Sequence, residues 1–220
     1  MSMKYITDLL LFANIEDLSS KGLGVIGTYE DKFTENSVVV SIKDNVIYIT
    51  FRGTHNFKNV VGDLAEFPLY RKEDFRYHLG FTVCYNSLRD ELFPILQTLD
   101  PTRKIIISGH SLGAAMANIC AIDLINLGYD VIELNLLACP KWGNKKAVRY
   151  IKKHIPVINH FLNANDAIYF VAPWLKRGKF IRIGKRSWYL LFSIRDHFLT
   201  NALGRTGYVD NLKKWYGDKF

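Results

Sequence analysis

A serine between two glycines is the residue of this chain best placed to do chemistry. The segment Gly109-His-Ser-Leu-Gly113 has Gly-x-Ser-x-Gly spacing, in which the glycines let the backbone turn sharply and present the Ser111 hydroxyl. A serine hydroxyl is a weak nucleophile until a base removes its proton, and that base needs an acid to orient it. The segment therefore predicts nucleophilic catalysis by Ser111, with the backbone N–H of Leu112 as an oxyanion donor.

The elements around Ser111 favour this interpretation. Residues 104–109 are mostly β-branched and apolar, which is typical of a strand buried on both faces of a parallel sheet. Residues 112–127 form a helix pattern rich in small side chains, and the pattern ends at Gly128. The serine is thus expected on a tight turn at the carboxyl end of a strand.

The base and the acid follow from chain order, which in such sheets is serine, then Asp or Glu, then histidine. The histidines that follow the serine are His154, His160 and His197. The acidic residues between Ser111 and His197 are Asp123, Asp130, Glu133, Asp166 and Asp196.

Asp166 is the acid that the predicted elements favour. Asp123 lies inside the helix that follows the serine. Asp130 and Glu133 open a strand at the wrong end of the sheet, and Asp196 adjoins His197. Asp166 directly follows a strand predicted at 157–164, at the carboxyl edge where active sites of open α/β sheets collect. Only His197 lies beyond it, so the predicted triad is Ser111, Asp166 and His197.

A second oxyanion donor is expected from a loop after an earlier strand. The strand predicted at 46–51 runs into Arg52-Gly-Thr54, and Thr54 offers both a backbone N–H and a hydroxyl. Thr54 is therefore the second candidate donor.

The remaining pattern predicts an α/β protein with a mostly parallel central sheet covered by helices. Further strands are expected at 38–43, 131–138 and 157–164, with a Lys-rich helix at 145–153. A helix is expected at 78–99, another over 4–18, and a late β-hairpin at 180–192 with helix from Asp196 onward. No linker or repeat interrupts the 220 residues, so one domain over 1–220 is expected.

Composition limits the functional classes. Three cysteines without CxxC spacing argue against a disulfide scaffold, and the sequence has no secretion signal or membrane-spanning run, so we expect a cytoplasmic protein. No metal-ligand motif appears, and Gly22-Leu-Gly-Val-Ile-Gly27 lacks the strand and helix of a dinucleotide site, so no metal and no cofactor are expected. The stretch instead favours the end of a helix followed by a strand.

The net charge of +8 is unevenly distributed. Residues 1–140 hold 12 basic and 17 acidic side chains, whereas residues 141–220 hold 17 and 4. A basic half can attract nucleic acid, an anionic membrane or an acidic partner, or it can simply be a solvated face. Because no nucleic-acid-binding motif is present, no nucleic acid is expected as a partner.

Several motifs together resemble the class 3 lipases, the fungal triacylglycerol-lipase-like branch of the α/β-hydrolases. They are Phe51-Arg-Gly-Thr54, His78-Leu-Gly-Phe81, Gly109-His-Ser-Leu-Gly113, Ala138-Cys-Pro-Lys-Trp-Gly-Asn144, Asn163-Ala-Asn-Asp166 and Asp196-His197. The resemblance implies the α/β-hydrolase fold, hydrolysis of lipid carboxylic esters, and Thr54 and Leu112 as oxyanion donors. The chain departs from the family at Ala138 and Lys141, where Gly and Arg are usual, and lacks the signal peptide and disulfides of secreted members.

Two segments bear on the substrate. Residues 55–67 carry a one-sided apolar stripe, which fits either a mobile lid helix, as in related lipases, or a fixed helix facing the core. Between Asp166 and His197 lie many basic and aromatic residues, which favour contact with an anionic membrane surface. Triacylglycerol and phospholipid are thus both candidate substrates. A catalytically silent relative that uses the fold for binding, and acyl transfer to an acceptor other than water, stay open as alternatives.

Overall fold

The computed structural model describes residues 3–10, 22–33, 35–52, 69–72, 74–163, 166–170, 172, 175–183 and 207–217. The strands are β1 (Val25–Glu30), β2 (Ser37–Lys43), β3 (Val46–Arg52), β4 (Leu69–Lys72), β5 (Phe75–His78), β6 (Ile105–His110), β7 (Val131–Leu137), β8 (Val157–Asn163) and β9 (Ile181–Ile183). The α-helices are α1 (Met3–Leu10), α2 (Leu79–Gln97), α3 (Leu112–Asn126), α4 (Lys145–His154) and α5 (Tyr208–Tyr216), and a 3₁₀ helix covers Ala167–Phe170.

Seven of these strands form the central sheet, in the order β1-β2-β3-β6-β7-β8-β9. Strands β3, β6, β7, β8 and β9 run parallel to one another, and only the β1–β2 and β2–β3 pairs are antiparallel. Helices from both faces cover the sheet, which is the α/β-hydrolase fold expected from the sequence.

Side chains alternate between the two faces of the central sheet, so that an apolar layer forms on each face. Along β3, Ile47 and Ile49 belong to the main core, which contains the buried faces of α2 and α3. Tyr48 between them points the other way and packs with Tyr5 and Leu9 of α1 in a smaller cluster. Because both faces are covered, the inner strands need apolar residues at nearly every position, as the sequence pattern predicts.

Helix α3 lies at the centre of the molecule. Its residues from Leu112 to Leu124 are all buried, since the helix contacts β3, β6 and β7 on one side and α2 and α4 on others. Small residues such as Ala114 and Ala115 allow that close packing. The predicted helix, and its end near Gly128 with φ +87°, are confirmed.

Strands β2 and β3 form a hairpin joined by a two-residue turn. Asp44 and Asn45 have φ of +49° and +64°, the conformation of a type I′ turn that matches strand twist. Lys43 pairs with Val46 directly across it. The strand expected from the Gly22-Leu-Gly-Val-Ile-Gly27 stretch is also present as β1, which begins at Val25.

Two features differ from the sequence expectation. The segment predicted as the first arm of a late hairpin is instead β9, which pairs in parallel with β8 and extends the central sheet. The rest of that predicted hairpin lies outside the described residues. The β4–β5 hairpin, which forms a separate two-stranded sheet, was not predicted at all. Within the described part of the chain, no helix is long and apolar enough to cross a bilayer.

Candidate active site

Ser111 occupies a strained turn between β6 and α3. Its φ of +58° and ψ of −125° belong to a backbone region that residues other than glycine rarely adopt. Such a conformation costs about 1–3 kcal/mol and persists only where the surroundings enforce it. Here the backbone N–H of Ser111 donates to the carbonyl of Leu137 at 2.9 Å, which ties the turn to the end of β7. This is the geometry of a nucleophile elbow, as the pentapeptide predicts.

The glycine before the turn is required sterically. A Cβ placed on Gly109 would lie 2.3 Å from the carbonyl oxygen of Gly113 and 2.6 Å from the nitrogen of Ala114. The end of β6 therefore touches the first turn of α3 backbone to backbone, and any side chain at Gly109 would push them apart.

The first turn of α3 supplies N–H groups next to Ser111. The N–H groups of Ala114 and Ala115 donate to the carbonyl of Ser111, at 3.0 and 3.3 Å. Leu112 and Gly113 precede them, and the first N–H groups of a helix have no acceptor within it. The helix dipole adds partial positive charge at the same place. A negatively charged oxygen bound to Ser111 would be stabilised there.

Asp166 follows β8 and is held by two hydrogen bonds. It is buried, with 3% of its surface exposed. Its Oδ1 accepts from the backbone N–H of Ile168 at 2.8 Å, and its Oδ2 accepts from the hydroxyl of Tyr208 at 2.6 Å. Together they fix the orientation of the carboxylate. Of the four acidic candidates that the structure describes, Asp166 alone lies after β8 at the same edge of the sheet as Ser111, and Asp196 lies outside the described residues.

Helix α5 supports the loop that carries Asp166. The Tyr208 hydroxyl also accepts from the backbone N–H of Asn163 at 2.8 Å, and the side chain of Asn211 donates to Oδ1 of Asn163 at 2.9 Å. The Tyr208 ring makes an edge contact with His110, the residue before Ser111, at 5.8 Å between centroids. Tyr208 therefore joins the serine turn to the acid loop.

Tyr208 stays a hydrogen-bond donor because of its surroundings. Burial, and then the charge and hydrogen bond of Asp166, hold the pKa of Tyr208 well above its usual value. Sequence analysis did not find this residue, since no motif links Tyr208 to a carboxylate 42 positions earlier.

Arg177 is a second buried support. Only 6% of its surface is exposed. Its guanidinium donates to the carbonyl of Cys139 at 3.2 Å, after β7, and to that of Ile168 at 3.4 Å, beside Asp166. The sequence singled out Arg177 only as part of a basic segment, whereas its side chain braces two loops at the carboxyl edge of the sheet.

The rejected acid candidate on α3 has a structural role. Asp123 is buried and lies 2.7 Å from Nζ of Lys72 and 3.4 Å from Nε of Arg89. The hydroxyl of Tyr85 donates at 3.3 Å to Oδ2 of Asp123, the oxygen that also faces Arg89. These contacts link α3 to β4 and α2, away from the carboxyl edge of the sheet.

The rejected histidine on β8 is also unsuited to act as a base. His160 is buried, and burial, with the nearby charge of Arg177, lowers its pKa to about 3. Its Nδ1 lies 3.1 Å from the carbonyl of Lys179, so that nitrogen carries the proton of a neutral ring.

The three cysteines are free thiols. Burial raises the pKa of Cys84 to about 11 and that of Cys139 to about 12, and it raises that of Cys120 further. Because the thiolate is the reactive form, none of them competes with Ser111 as a nucleophile near neutral pH.

The other predicted site residues lie outside the described part of the chain. These are His197, Thr54 and the segment 55–67 predicted as a lid or fixed helix.

Comparison with known proteins now identifies the family. The family model described as lipase (class 3) matches residues 48–175, more than half of the sequence. The chain belongs to the class 3 lipase family. The resemblance drawn from its motifs is thereby confirmed.

Relatives of this class 3 lipase-family protein are fungal. A lipase from Rhizopus niveus is 29% identical over 164 residues, which cover 70% of this chain and 41% of the relative. A secreted mono- and diacylglycerol lipase from Penicillium cyclopium is 28% identical over 147 residues, covering 63% and 48%. The chain thus spans less than half the length of these curated relatives.

A solved structure shows the same fold. It is a triacylglycerol lipase whose catalytic centre is described as a serine protease triad. It is 22% identical with a TM-score of 0.69, covering 83% of this chain and 79% of its own.

The comparison corrects one expectation. The pattern and composition of the sequence predicted a cytoplasmic location. That prediction is wrong, because the relatives include proteins named as secreted lipases.

Proposed function

We propose that this protein is a serine hydrolase of lipid carboxylic esters. The observation that carries the proposal is the strained backbone of Ser111, a residue other than glycine with positive φ, between β6 and α3. It lies at the sheet edge where the buried carboxylate of Asp166 follows β8. Membership of the class 3 lipase family supports the choice of lipid esters.

In the proposed mechanism, Ser111 is the nucleophile, His197 the base and Asp166 the acid that orients it. Strands β6 and β8 are separated by β7, so their ends lie about 10 Å apart, a gap that an imidazole between the two side chains can bridge. The two hydrogen bonds on Asp166 keep its carboxylate fixed, which holds the imidazole in one tautomer.

The reaction proceeds through an acyl-enzyme. Oγ of Ser111 bonds to the ester carbonyl carbon while its proton passes to His197. The N–H groups of Leu112 and Thr54 stabilise the resulting oxyanion. The C–O bond of the ester then breaks, and the alcohol leaves with the proton from His197. Water then attacks the carbonyl carbon of the acyl-serine while its proton passes to His197. The bond to Oγ of Ser111 breaks, Oγ takes the proton back, and the fatty acid is released.

Two classes of lipid are candidate substrates: neutral acylglycerols and phospholipids. Several relatives are named as mono- and diacylglycerol lipases, which favours the first class. The basic segment after Asp166 favours an anionic interface, and we propose that it brings the enzyme to such membranes. Each cation near an anionic surface contributes about 1 kcal/mol.

Hydrolysis of a substrate panel tests the activity. We expect the wild type to release fatty acid from triolein, phosphatidylcholine or p-nitrophenyl butyrate. Ser111→Ala should reduce turnover at least about a thousandfold. Ser108→Ala is the matched control and should retain activity, because Ser108 is a buried serine on β6, the strand that leads to Ser111. Failure of the wild type on every ester would overturn the proposal.

Vesicle binding tests the membrane contact separately. We expect sedimentation with phosphatidylcholine vesicles to increase when phosphatidylglycerol is added, and to decrease with salt. Binding that ignores both lipid charge and salt would contradict the electrostatic contribution.

A further inference from the structure

A cavity of about 740 Å³ lies beside α4, apart from the residues assigned to catalysis. Its walls are α4, the segment 175–180, and parts of β7 and β8. Neither Ser111 nor Asp166 is among the described residues that line it. The volume is within the range of about 300–1,000 Å³ that is usual for small-molecule sites.

The floor of this cavity is apolar. Leu136 of β7, Ile151 of α4 and the adjoining Ile155 are buried side chains that line it. Ile158 and Leu175 extend the same surface. An apolar floor of this kind provides a binding surface for a hydrocarbon chain.

The walls, by contrast, are strongly basic. Seven Lys and Arg side chains line the cavity, and no carboxylate is among its described lining residues. Lys145, Arg149 and Lys152 are spaced i, i+4 and i+7, so they lie along one face of α4. Lys176 and Lys179 approach from the facing segment. Cations from two separate elements therefore converge on one space.

This convergence has an electrostatic cost. The pKa of Lys141 is lowered by its burial and then by the charges of Arg177 and Lys176. An anion placed among these like charges would be attracted by them and would reduce their mutual repulsion.

We propose that this cavity binds a single-chain anionic amphiphile, namely a long-chain carboxylate. Its hydrocarbon chain lies on the apolar floor, and its carboxylate lies between α4 and the 176–179 segment. The apolar floor disfavours a free inorganic anion as the occupant, and the partly enclosed volume disfavours a polymer. Binding does not depend on Ser111, so the proposal is independent of the hydrolase activity.

Calorimetric titration with laurate tests the proposal on the full chain. Acetate and inorganic phosphate supply the charge without the chain, and dodecanol supplies the chain without the charge. The charge variant is Arg149→Gln with Lys152→Gln, both exposed residues lining the cavity. The matched control is Lys146→Gln with Lys153→Gln, which removes the same charge from α4 at positions that do not line it.

A second variant tests the chain-binding floor. Val148 lines the cavity and is half-buried, so Val148→Phe should fill part of it while leaving every cation in place. Its thermal unfolding is compared with that of the wild type to establish that it folds.

We expect laurate to bind with 1:1 stoichiometry and dodecanol, acetate and phosphate to bind at least tenfold more weakly. Each cation near the bound anion contributes about fivefold in affinity, so the charge variant should bind laurate about 20- to 30-fold more weakly. The control pair should change affinity by less than about threefold. Val148→Phe, if folded, should also weaken laurate binding.

Four results would overturn the proposal. These are no saturable laurate binding, phosphate binding as tight as that of laurate, equal loss in the charge variant and its control, or binding to anionic vesicles without binding to monomeric laurate.

Discussion

The hydroxyl of Tyr208 is predicted to hold the acid loop in place. Tyr208→Phe removes this one atom and leaves the ring contact with His110 intact. The charged carboxylate of Asp166 loses the hydrogen bond that it accepts from Tyr208, which is worth about 1.5–3 kcal/mol. The buried backbone N–H of Asn163 loses its acceptor, which costs about 1–3 kcal/mol. The free energy of unfolding should therefore fall by about 3–5 kcal/mol.

Urea unfolding followed by tryptophan fluorescence measures this loss. The matched control is Tyr216→Phe on the same helix, because the hydroxyl of Tyr216 has no hydrogen-bond partner among the described residues. That control should change stability by less than about 0.5 kcal/mol. Equal losses in the two variants, or a loss below 1 kcal/mol in Tyr208→Phe, would refute the reasoning.

The same variant should affect catalysis, since Tyr208 holds the carboxylate of Asp166, the residue that we propose orients the base. With a soluble ester, kcat should fall about tenfold at a temperature where the variant stays folded, while KM changes little. An unchanged kcat would mean that the bond stabilises the fold without positioning Asp166 for catalysis.

Three further variants test the fold around the site by urea unfolding. Gly109→Ala should cost at least about 3 kcal/mol, because its Cβ would collide with backbone, whereas Gly128→Ala should cost about 1 kcal/mol from positive φ alone. In the folded protein His160 is neutral and has a pKa of about 3, whereas in the unfolded chain it binds a proton below about pH 6.5. The free energy of unfolding should therefore fall by about 2 kcal/mol from pH 6.5 to 4.5. His160→Gln should remove this part of the pH dependence, and the control His154→Gln, at an exposed position, should not. Asp123→Asn should cost about 2 kcal/mol, a value reduced because its cationic partners are partly exposed.

Each of these has a contradicting result. Equal costs for the two glycine variants would mean that the strand and helix at the elbow are not in close contact. An unchanged pH slope in His160→Gln would mean that His160 is protonated in the folded protein. Asp90→Asn, which removes an exposed carboxylate 3.6 Å from Arg89, is the control for Asp123; equal losses would show that burial adds nothing to the ion pairs.

The inner strands and the serine turn were predictable because local patterns determine them. A β-branched run, a glycine on either side of Ser111 and a small-residue helix specify a buried strand, a sharp turn and a packed helix without reference to distant residues. Chain order then placed Asp166 at the same edge of the sheet as Ser111. These inferences needed periodicity and topology alone.

The supports of the site were not predictable because they depend on contacts between distant segments. Nothing in the sequence near Tyr208 or Asn211 indicates that α5 packs on the end of β8. Their hydrogen bonds to Asn163 span 45 and 48 residues. Arg177 appeared as one cation in a basic segment, yet its side chain is buried. Strand β9 was misassigned for the same reason, since three residues do not specify which neighbour they pair with.

The most direct test of the central claim is to locate the nucleophile by covalent labelling. A fluorophosphonate probe is incubated with the native protein, and the adduct is mapped by mass spectrometry of its peptides. We predict one adduct per chain, on Ser111, and no labelling of Ser111→Ala. A native protein that takes up no probe, or an adduct on another residue that persists in Ser111→Ala, would contradict the assignment of Ser111 as the nucleophile.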